Sequence, residues 1–248
     1  MSNFTLEEPN YELQPVKFNV DGSLGEHILP PFPSQSFFMI ICGRAGSGKT
    51  SLLINMLESK GINRIYNKVF DKIVLVMPTN SRKSMKDNPL DDLPADQTFE
   101  EFTPDTIKKI KAIREDFDKL DLKKKRPRNQ LLILDDITAT LKNNDIMKSL
   151  IELATNRRHL KLSIVLLVQF LRAIPRPVRF QATQVVFFKP SNILDTQILK
   201  DEYVNLPTDQ FNDLCRFIFV DSHDFLFIDK NNETYYKNLQ KINLINNI

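Results

Sequence analysis

This 248-residue sequence lacks the features that mark secreted and membrane-spanning proteins. Its two cysteines, Cys42 and Cys215, form neither a metal-ligand spacing nor a disulfide framework, which favours a reducing compartment. The acidic, polar start at residues 1–11 has no basic segment followed by an apolar one, so it does not resemble a signal peptide. The longest strongly apolar run, 164–168 with its flanks, is far shorter than the roughly 20 residues of a transmembrane helix. We therefore expect a soluble, intracellular protein.

The overall composition does not select a function either. A formal net charge of +3 is too small to indicate a nucleic-acid partner, and 42% hydrophobic with 26% charged residues is ordinary for a globular protein. The length suits one large α/β domain with modest appendages. The sequence shows no internal repeat and no coiled-coil heptad. Any specific function therefore has to be argued from local motifs.

The most informative motif is the octet Gly-Arg-Ala-Gly-Ser-Gly-Lys-Thr at 43–50, which matches the phosphate-binding pattern G-x-x-x-x-G-K-[ST]. It lies between an apolar run at 37–42 and a segment with helical spacing at 51–57, which is the strand–loop–helix context that this loop requires. We expect Lys49 to reach the β- and γ-phosphates of ATP and the Thr50 hydroxyl to ligate Mg²⁺. The predicted nucleotide-binding residues are Gly43, Arg44, Ala45, Gly46, Ser47, Gly48, Lys49, Thr50 and Ser51.

Strand and helix patterns alternate along the chain, which predicts an α/β P-loop NTPase with a mostly parallel central sheet flanked by helices. A small C-terminal helix and hairpin extend this fold. The predicted strands lie at 37–42, 72–77, 130–134, 162–168 and 184–188, and the hairpin runs from 217–220 to 225–228. The predicted helices lie at 51–57, 105–122, 145–154, 195–202 and 208–214.

The same patterns divide the chain into three parts. Residues 1–33 are polar and punctuated by proline, which predicts an extended N-terminal arm. Residues 34–205 form the predicted ATPase core, and 206–248 form a C-terminal extension. Within the core, 79–128 is interpreted as a polar insertion followed by a charged helix; its first part, 79–103, carries six acids against three bases and is typical of a loop.

Two aspartates follow the apolar strand at 130–134. A buried strand of a parallel sheet delivers its last residues to the carboxyl edge, beside the phosphate loop. Asp135 is therefore predicted to hold Mg²⁺ through water, as a Walker-B acid does. Asp136 stands where many ATPases place a glutamate that polarises the attacking water. Its alternative interpretation is a turn acid after a strand.

Further candidates for the chemistry flank the fourth strand. Gln169 ends this otherwise apolar strand, either as a sensor of the γ-phosphate or as an ordinary polar strand-end residue. Arg157 and Arg158 precede the strand, where an arginine can neutralise transition-state charge on a neighbouring subunit's nucleotide, or simply be solvated. The rival candidates for this role are Arg176 and Arg179. His159 is interpreted as a packing or capping residue.

The densest cluster of positive charge is at 123–128, where five of six residues are basic. Lysines and arginines in such a run can face the phosphates of DNA. A solvated loop has the same composition, and no aromatic residues are interleaved to stack on single strands. Both interpretations of this run remain open.

The motifs GRAGSGKT, LLILDD, NRRH-x-x-x-SIVLLVQ and IPRPVRF occur in this order over about residues 36–190. The set resembles the viral genome-packaging ATPases of the FtsK–HerA superfamily, in particular the poxvirus-type enzymes of large eukaryotic DNA viruses and virophages. The resemblance implies a RecA/ASCE-like ATPase core that uses ATP and Mg²⁺. It also implies a homo-oligomeric ring, a pentamer or hexamer, that moves double-stranded DNA into a preformed capsid and contacts a capsid or portal protein.

The same resemblance assigns roles to particular residues. It makes Lys49 and Thr50 the ligands of nucleotide and Mg²⁺, makes Asp135 and Asp136 the Walker-B pair and makes Gln169 the sensor. Arg157 or Arg158 becomes the trans-acting finger. The implied location is the host cytoplasm, a viral factory or the virion itself.

Two other functions are compatible with a phosphate loop. A small-molecule kinase needs a lid of arginines around an acceptor pocket, and a GTPase needs a guanine-reading Asn-Lys-x-Asp tetrapeptide, which this sequence lacks. A nucleotide-bound adaptor without turnover would keep the loop and lose hydrolysis. Changing Asp136 to asparagine separates a motor from an adaptor, since only an enzyme has turnover to lose.

Overall fold

The computed structural model describes residues 22–57, 65–79, 89–121, 128–190 and 192–243. The strands are β1 (Phe38–Cys42), β2 (Phe70–Val76), β3 (Thr98–Phe99), β4 (Asn129–Asp135), β5 (Leu162–Val168), β6 (Gln184–Phe188), β7 (Phe225–Asp229), β8 (Thr234–Lys237) and β9 (Gln240–Lys241). The α-helices are α1 (Lys49–Leu57), α2 (Pro104–Asp121), α3 (Asn144–Thr155), α4 (Arg176–Arg179), α5 (Ile193–Tyr203) and α6 (Thr208–Ile218). Short 3₁₀ turns lie at Pro89–Asp92, Ala95–Gln97, Thr140–Lys142 and Leu171–Ala173.

Within these residues one sheet contains all nine strands in the order β3-β2-β4-β5-β1-β6-β7-β8-β9. Strands β1 to β6 pair in parallel, whereas β7, β8 and β9 continue the sheet by antiparallel pairing. The prediction of a mostly parallel sheet flanked by helices, extended by a C-terminal helix and hairpin, is confirmed. In this order β4 and β5 lie on one side of β1, and β6 and β7 lie on the other.

The core consists of two apolar layers, one on each face of the sheet. In β1 the side chains alternate, so that Phe38 and Ile40 pack in one layer while Met39 and Ile41 pack in the other. Helices α2, α3, α5 and α6 cover the first layer, and α1 covers the second. Because both faces are covered, β1, β5 and β6 are buried throughout, and buried strands of this kind produce unbroken apolar runs in a sequence.

One strand was predicted in the wrong place. The predicted hairpin starts with a strand at 217–220, but α6 continues to Ile218 and the hairpin is formed by β7 and β8. Phe211, Leu214 and Ile218 are buried at helical spacing, which extends the helix through the apolar stretch. Phe217 points outward and is 59% exposed.

The predicted polar loop at 79–103 is more structured than expected. Its described part contains two 3₁₀ turns and the short strand β3, which pairs with β2 and forms an edge of the sheet. Residues 80–88 lie outside the described part. A two-residue strand carries too little periodicity to be recognised in a sequence.

The first described segment packs onto the layer that α1 covers. Leu24, Ile28 and Phe32 are buried there, and Ser23 forms an isolated antiparallel bridge with Gln35. The remainder of the predicted arm, 1–21, lies outside the described residues, and the division into arm, core and extension stays a prediction. Among the helices described, none combines the length and apolar character needed to cross a bilayer.

Candidate nucleotide-binding site

The glycine loop joins the carboxyl end of β1 to the amino end of α1. Gly48 has φ +106°, a conformation that side chains with a β-carbon rarely adopt. Gly43 is required for a different reason, since a β-carbon there would lie 2.7 Å from Cβ of Phe188. The turn can therefore close tightly against β6 and direct backbone N–H groups inward, as phosphate binding requires.

Lys49 is the first residue of α1, where the positive end of the helix dipole favours an anion. Its ammonium donates hydrogen bonds to the carbonyl oxygens of Gly43 (2.7 Å) and Arg44 (3.0 Å). Burial lowers the pKa of this ammonium, and the carboxylate charge of Asp135 opposes the effect. The lysine is thus held across the loop, close to the acid pair.

Asp135 and Asp136 lie at the same edge as the loop. Asp135 is the last residue of β4 and pairs in register with Leu167 of β5. Burial raises its pKa to about 6, the charge of Lys49 lowers it, and the charge of Asp136 raises it further. Asp136 is exposed and has φ +54°, a left-handed conformation that aspartate tolerates better than most residues. This turn leaves the second carboxylate open to solvent beside the first.

Gln169 follows the last residue of β5 and is exposed at this edge. Its backbone carbonyl accepts a hydrogen bond from the Cys42 thiol (3.8 Å), and the Gly43 amide donates to the carbonyl of Val168 (3.1 Å). These contacts attach the end of β5 to the start of the phosphate loop. The structure therefore brings the predicted sensor to the same edge as the loop and the aspartates.

The oxygen donors at this edge fit Mg²⁺. They are the Thr50 hydroxyl, which follows Lys49 in α1, and the carboxylate of Asp135. Mg²⁺ is usually held by one or two protein oxygens, while water and substrate phosphates complete its octahedron. In the described ranges no group of three or more His, Cys, Asp or Glu side chains could hold a metal ion without a nucleotide. Thr50 and Asp135 are thus the residues that would hold Mg²⁺ at this edge.

Arg157 and Arg158 lie at the opposite edge of the sheet, because they precede β5 whereas the loop follows β1. Arg157 is half-buried and its Nη1 donates to the carbonyl of Ala154 (2.8 Å) near the end of α3, while burial and the charge of Arg158 lower its pKa. Arg158 is exposed. The structure does not bring either arginine to the loop of its own chain.

The rival arginines differ from each other. Arg179 is 7% exposed, donates to both carboxylate oxygens of Glu202 (2.8 and 2.7 Å) and also bonds the carbonyl of Ile174. Its guanidinium is thus bound within its own chain, which favours a structural role over the predicted role as a finger. Arg176 is mostly exposed, 3.5 Å from the carboxylate of Glu202 and stacked over the ring of Phe180. The basic run at 123–128 lies outside the described residues except for Arg128.

Three residues at the loop were not predicted: Phe188, His223 and Phe225. The Nδ1 atom of His223 lies 3.1 Å from the carbonyl oxygen of Ser47, and Phe188 packs under the loop. His223 is 176 residues from Ser47 in the sequence and belongs to no motif, so no local pattern indicated it. Only the antiparallel pairing of β6 with β7 brings it to the site.

The loop, the helix that begins at its end and the acids on a neighbouring strand define a P-loop NTPase. The chain belongs to the poxvirus A32 protein family, whose model matches residues 32–206. Membership confirms the resemblance to the poxvirus-type packaging ATPases, and the protein is an ATPase. No curated protein sequence matches the chain.

Solved structures with a similar fold include ATPases of viral and bacterial origin. B204, the DNA-packaging ATPase of Sulfolobus turreted icosahedral virus, has a TM-score of 0.55 at 16% identity, over 84% of this chain and 98% of B204. B204 from Sulfolobus turreted icosahedral virus 2, in complex with ATP-gammaS, has the same TM-score of 0.55 and identity of 16%, over 81% and 96% of the two chains. ATPases 2 and 3 of EssC from Geobacillus thermodenitrificans match with a TM-score of 0.52 at 13% identity, over 83% and 39%. At these identities the likeness shows a shared fold.

Proposed function

We propose that this ATPase is a motor that translocates double-stranded viral DNA into a preformed capsid, and that it works as a homo-oligomeric ring of five or six subunits. The observation that carries the proposal is the convergence of the phosphate loop, the two aspartates and Gln169 at one sheet edge, in a chain of the A32 family. B204, whose fold is similar, is a DNA-packaging ATPase. The DNA, the capsid or portal protein and a site of action in the infected cell or virion are inferred on this basis.

Within the site, the loop backbone from Gly43 to Ser51 would bind the phosphates, and Lys49 would neutralise the β- and γ-phosphates. Thr50 and Asp135 would hold Mg²⁺, which bridges the phosphate oxygens and neutralises the charge that develops on them. Because Asp136 is exposed at the turn after β4, its carboxylate is accessible to a water molecule. We assign it the role of general base.

The remaining two roles follow from the edges on which the residues lie. Gln169 is at the edge of the loop and would hydrogen-bond the γ-phosphate or the attacking water. Arg157 and Arg158 are at the other edge and would stabilise transition-state charge only in a neighbouring subunit. Each subunit would therefore bind one nucleotide and would supply an arginine to the site of a neighbouring subunit.

The basic run at 123–128 is the candidate contact with DNA, by way of the phosphate backbone. Such contacts are independent of base sequence. They weaken as the salt concentration rises, because the release of condensed counterions from DNA then gains less free energy. A translocating motor needs this kind of binding, since it has to move past every sequence it packages.

The test is ATP turnover with and without long linear duplex DNA, measured together with the mass of the protein in solution. We expect an oligomer whose turnover rises when DNA is added at low salt, and a loss of this stimulation at high salt. Lys49→Ala is the control: under the same DNA conditions it should show no turnover. A monomer whose hydrolysis ignores DNA at low salt would contradict the motor.

A further inference from the structure

A pocket of about 560 Å³ opens beside the phosphate loop, and its lining includes Phe188 of β6 and Phe225 of β7. One wall is the loop and the first turn of α1, from Gly46 to Leu52. The other wall is made by Phe188 at the end of β6, by Phe225 at the start of β7 and by His223 in the turn before it. The roles proposed above account for the phosphates and for hydrolysis. They assign no ligand to the space between the two walls of this pocket.

The sheet order indicates which end of a nucleotide faces the pocket. The groups that would act on the γ-phosphate, Asp135, Asp136 and Gln169, follow β4 and β5, on one side of β1. A triphosphate that crosses the loop with its γ-phosphate toward these groups must leave on the other side of β1. That side carries β6 and β7, and therefore the pocket.

The chemistry of the second wall suits a nucleoside. The rings of Phe188 and Phe225 are 5.2 Å apart at an interplanar angle of 52°. Both residues are largely buried, and the parts of them that line the pocket are aromatic surface against which a planar base can pack. Phe188 is also fixed against the loop, since a β-carbon at Gly48 would lie 3.5 Å from its ring. The surface is thus held at a constant position relative to the phosphates.

His223 adds a polar group at the rim. The Ser47 carbonyl can only accept, so the hydrogen bond at 3.1 Å assigns a proton to Nδ1 and, in the neutral ring, leaves Nε2 as an acceptor. An acceptor complements a ribose hydroxyl or the exocyclic amine of adenine, both of which donate. The ring is exposed, so a ligand in the pocket can reach it.

We propose that Phe225 and His223 bind the base and ribose of the nucleotide, so that the C-terminal strand β7 forms part of the ATP site. This inference rests on the proposed function in one respect only, namely that a nucleoside triphosphate binds at the loop. Translocation of DNA does not enter it.

The experiment compares the affinities of the protein for ATP-γ-S and for inorganic tripolyphosphate, both with Mg²⁺. Tripolyphosphate carries the phosphates without the nucleoside. For His223→Ala we expect the affinity for ATP-γ-S to fall about tenfold, as loss of a ligand hydrogen bond does, with the affinity for tripolyphosphate unchanged. Phe225→Leu, which keeps an apolar side chain at a buried position, should weaken ATP-γ-S at least as much, because stacking on an aromatic ring is lost.

His27→Ala is the matched control, since His27 is an exposed histidine that does not line the pocket. Lys49→Ala should weaken the binding of both ligands. If Lys49→Ala left both affinities unchanged, phosphate binding at the loop would be contradicted, rather than the assignment of Phe225 and His223. An equal loss for both ligands in His223→Ala would mean that the histidine only braces Ser47. Unchanged affinity for ATP-γ-S in both pocket variants would also overturn the assignment.

Discussion

Replacing Arg158 with alanine should abolish ATP turnover in the assembled protein while nucleotide binding persists. The reason is distance: Arg158 precedes β5 and Gln169 follows it, and seven extended residues at about 3.3 Å each separate the two edges by roughly 20 Å. An arginine side chain spans only a fraction of that length, so any contact with a γ-phosphate is made in a neighbouring subunit. Loss of an arginine finger lowers kcat by about 10³- to 10⁵-fold.

The assay is complementation between two inactive variants, Arg158→Ala and Lys49→Ala. In a mixed ring, an Arg158→Ala subunit keeps an intact loop, and a Lys49→Ala subunit keeps an intact arginine. If equal amounts assemble at random, about one quarter of the interfaces join an intact loop to an intact arginine, and turnover should recover to about one quarter of the unmodified level. Each variant alone stays inactive.

One control, Arg216→Ala, and one variant of the rival arginine, Arg157→Ala, accompany this assay. Arg216→Ala removes an exposed arginine from α6, which pairs only with the exposed Asp213 among the interactions described, and should leave turnover unchanged. Arg157→Ala should lower the free energy of unfolding by about 1 kcal/mol, because its guanidinium bonds the carbonyl of Ala154 near the end of α3. A mixed ring that binds nucleotide and co-assembles but stays as inactive as its components would refute the placement of the finger in trans.

Three further substitutions test the remaining assignments. Arg179→Met should lower the free energy of unfolding by about 3 to 5 kcal/mol in chemical denaturation, because it leaves the largely buried carboxylate of Glu202 without its main partner; a change below about 1 kcal/mol would contradict a structural role. Gly48→Ala should weaken nucleotide binding and lower stability by about 1 kcal/mol or more, because alanine is strained at φ +106°; unchanged affinity in a titration would contradict the strain argument. Asp136→Asn should abolish turnover and keep the affinity for ATP, and turnover at the unmodified rate would exclude Asp136 as the base.

The parts of the fold that the sequence predicts are those in which local patterns are strong. Strands β1, β5 and β6 are buried on both faces, so each is an unbroken apolar run that stands out from polar flanks. The glycine loop is a contiguous motif, so its position between β1 and α1 follows directly from the sequence. Predictions failed where packing selects between two local possibilities, as at 217–220, where an apolar stretch continues a helix instead of forming a strand.

The residues of the candidate site also fall into those that local patterns predict and those that only packing places. Residues that follow a predicted strand, such as Asp135 and Gln169, could be placed at the carboxyl edge without any coordinates. His223 could not, because its contact with Ser47 depends on the antiparallel return of β7 beside β6, which a sequence pattern does not encode. The buried pair of Arg179 with Glu202 was missed for the same reason, since only tertiary contacts distinguish it from a solvated arginine.

The position of β5 in the sheet explains why the proposed site would be divided between subunits. All seven of its residues are buried, and its two neighbours in the sheet, β4 and β1, pair with it in parallel. Whatever follows these strands lies with the phosphate loop, and whatever precedes them lies at the far edge. Rotation of side chains cannot exchange the two edges of a buried parallel sheet. An Arg158 that takes part in hydrolysis therefore acts on the nucleotide of a neighbouring subunit, and the exposure of its side chain is what such a contact requires.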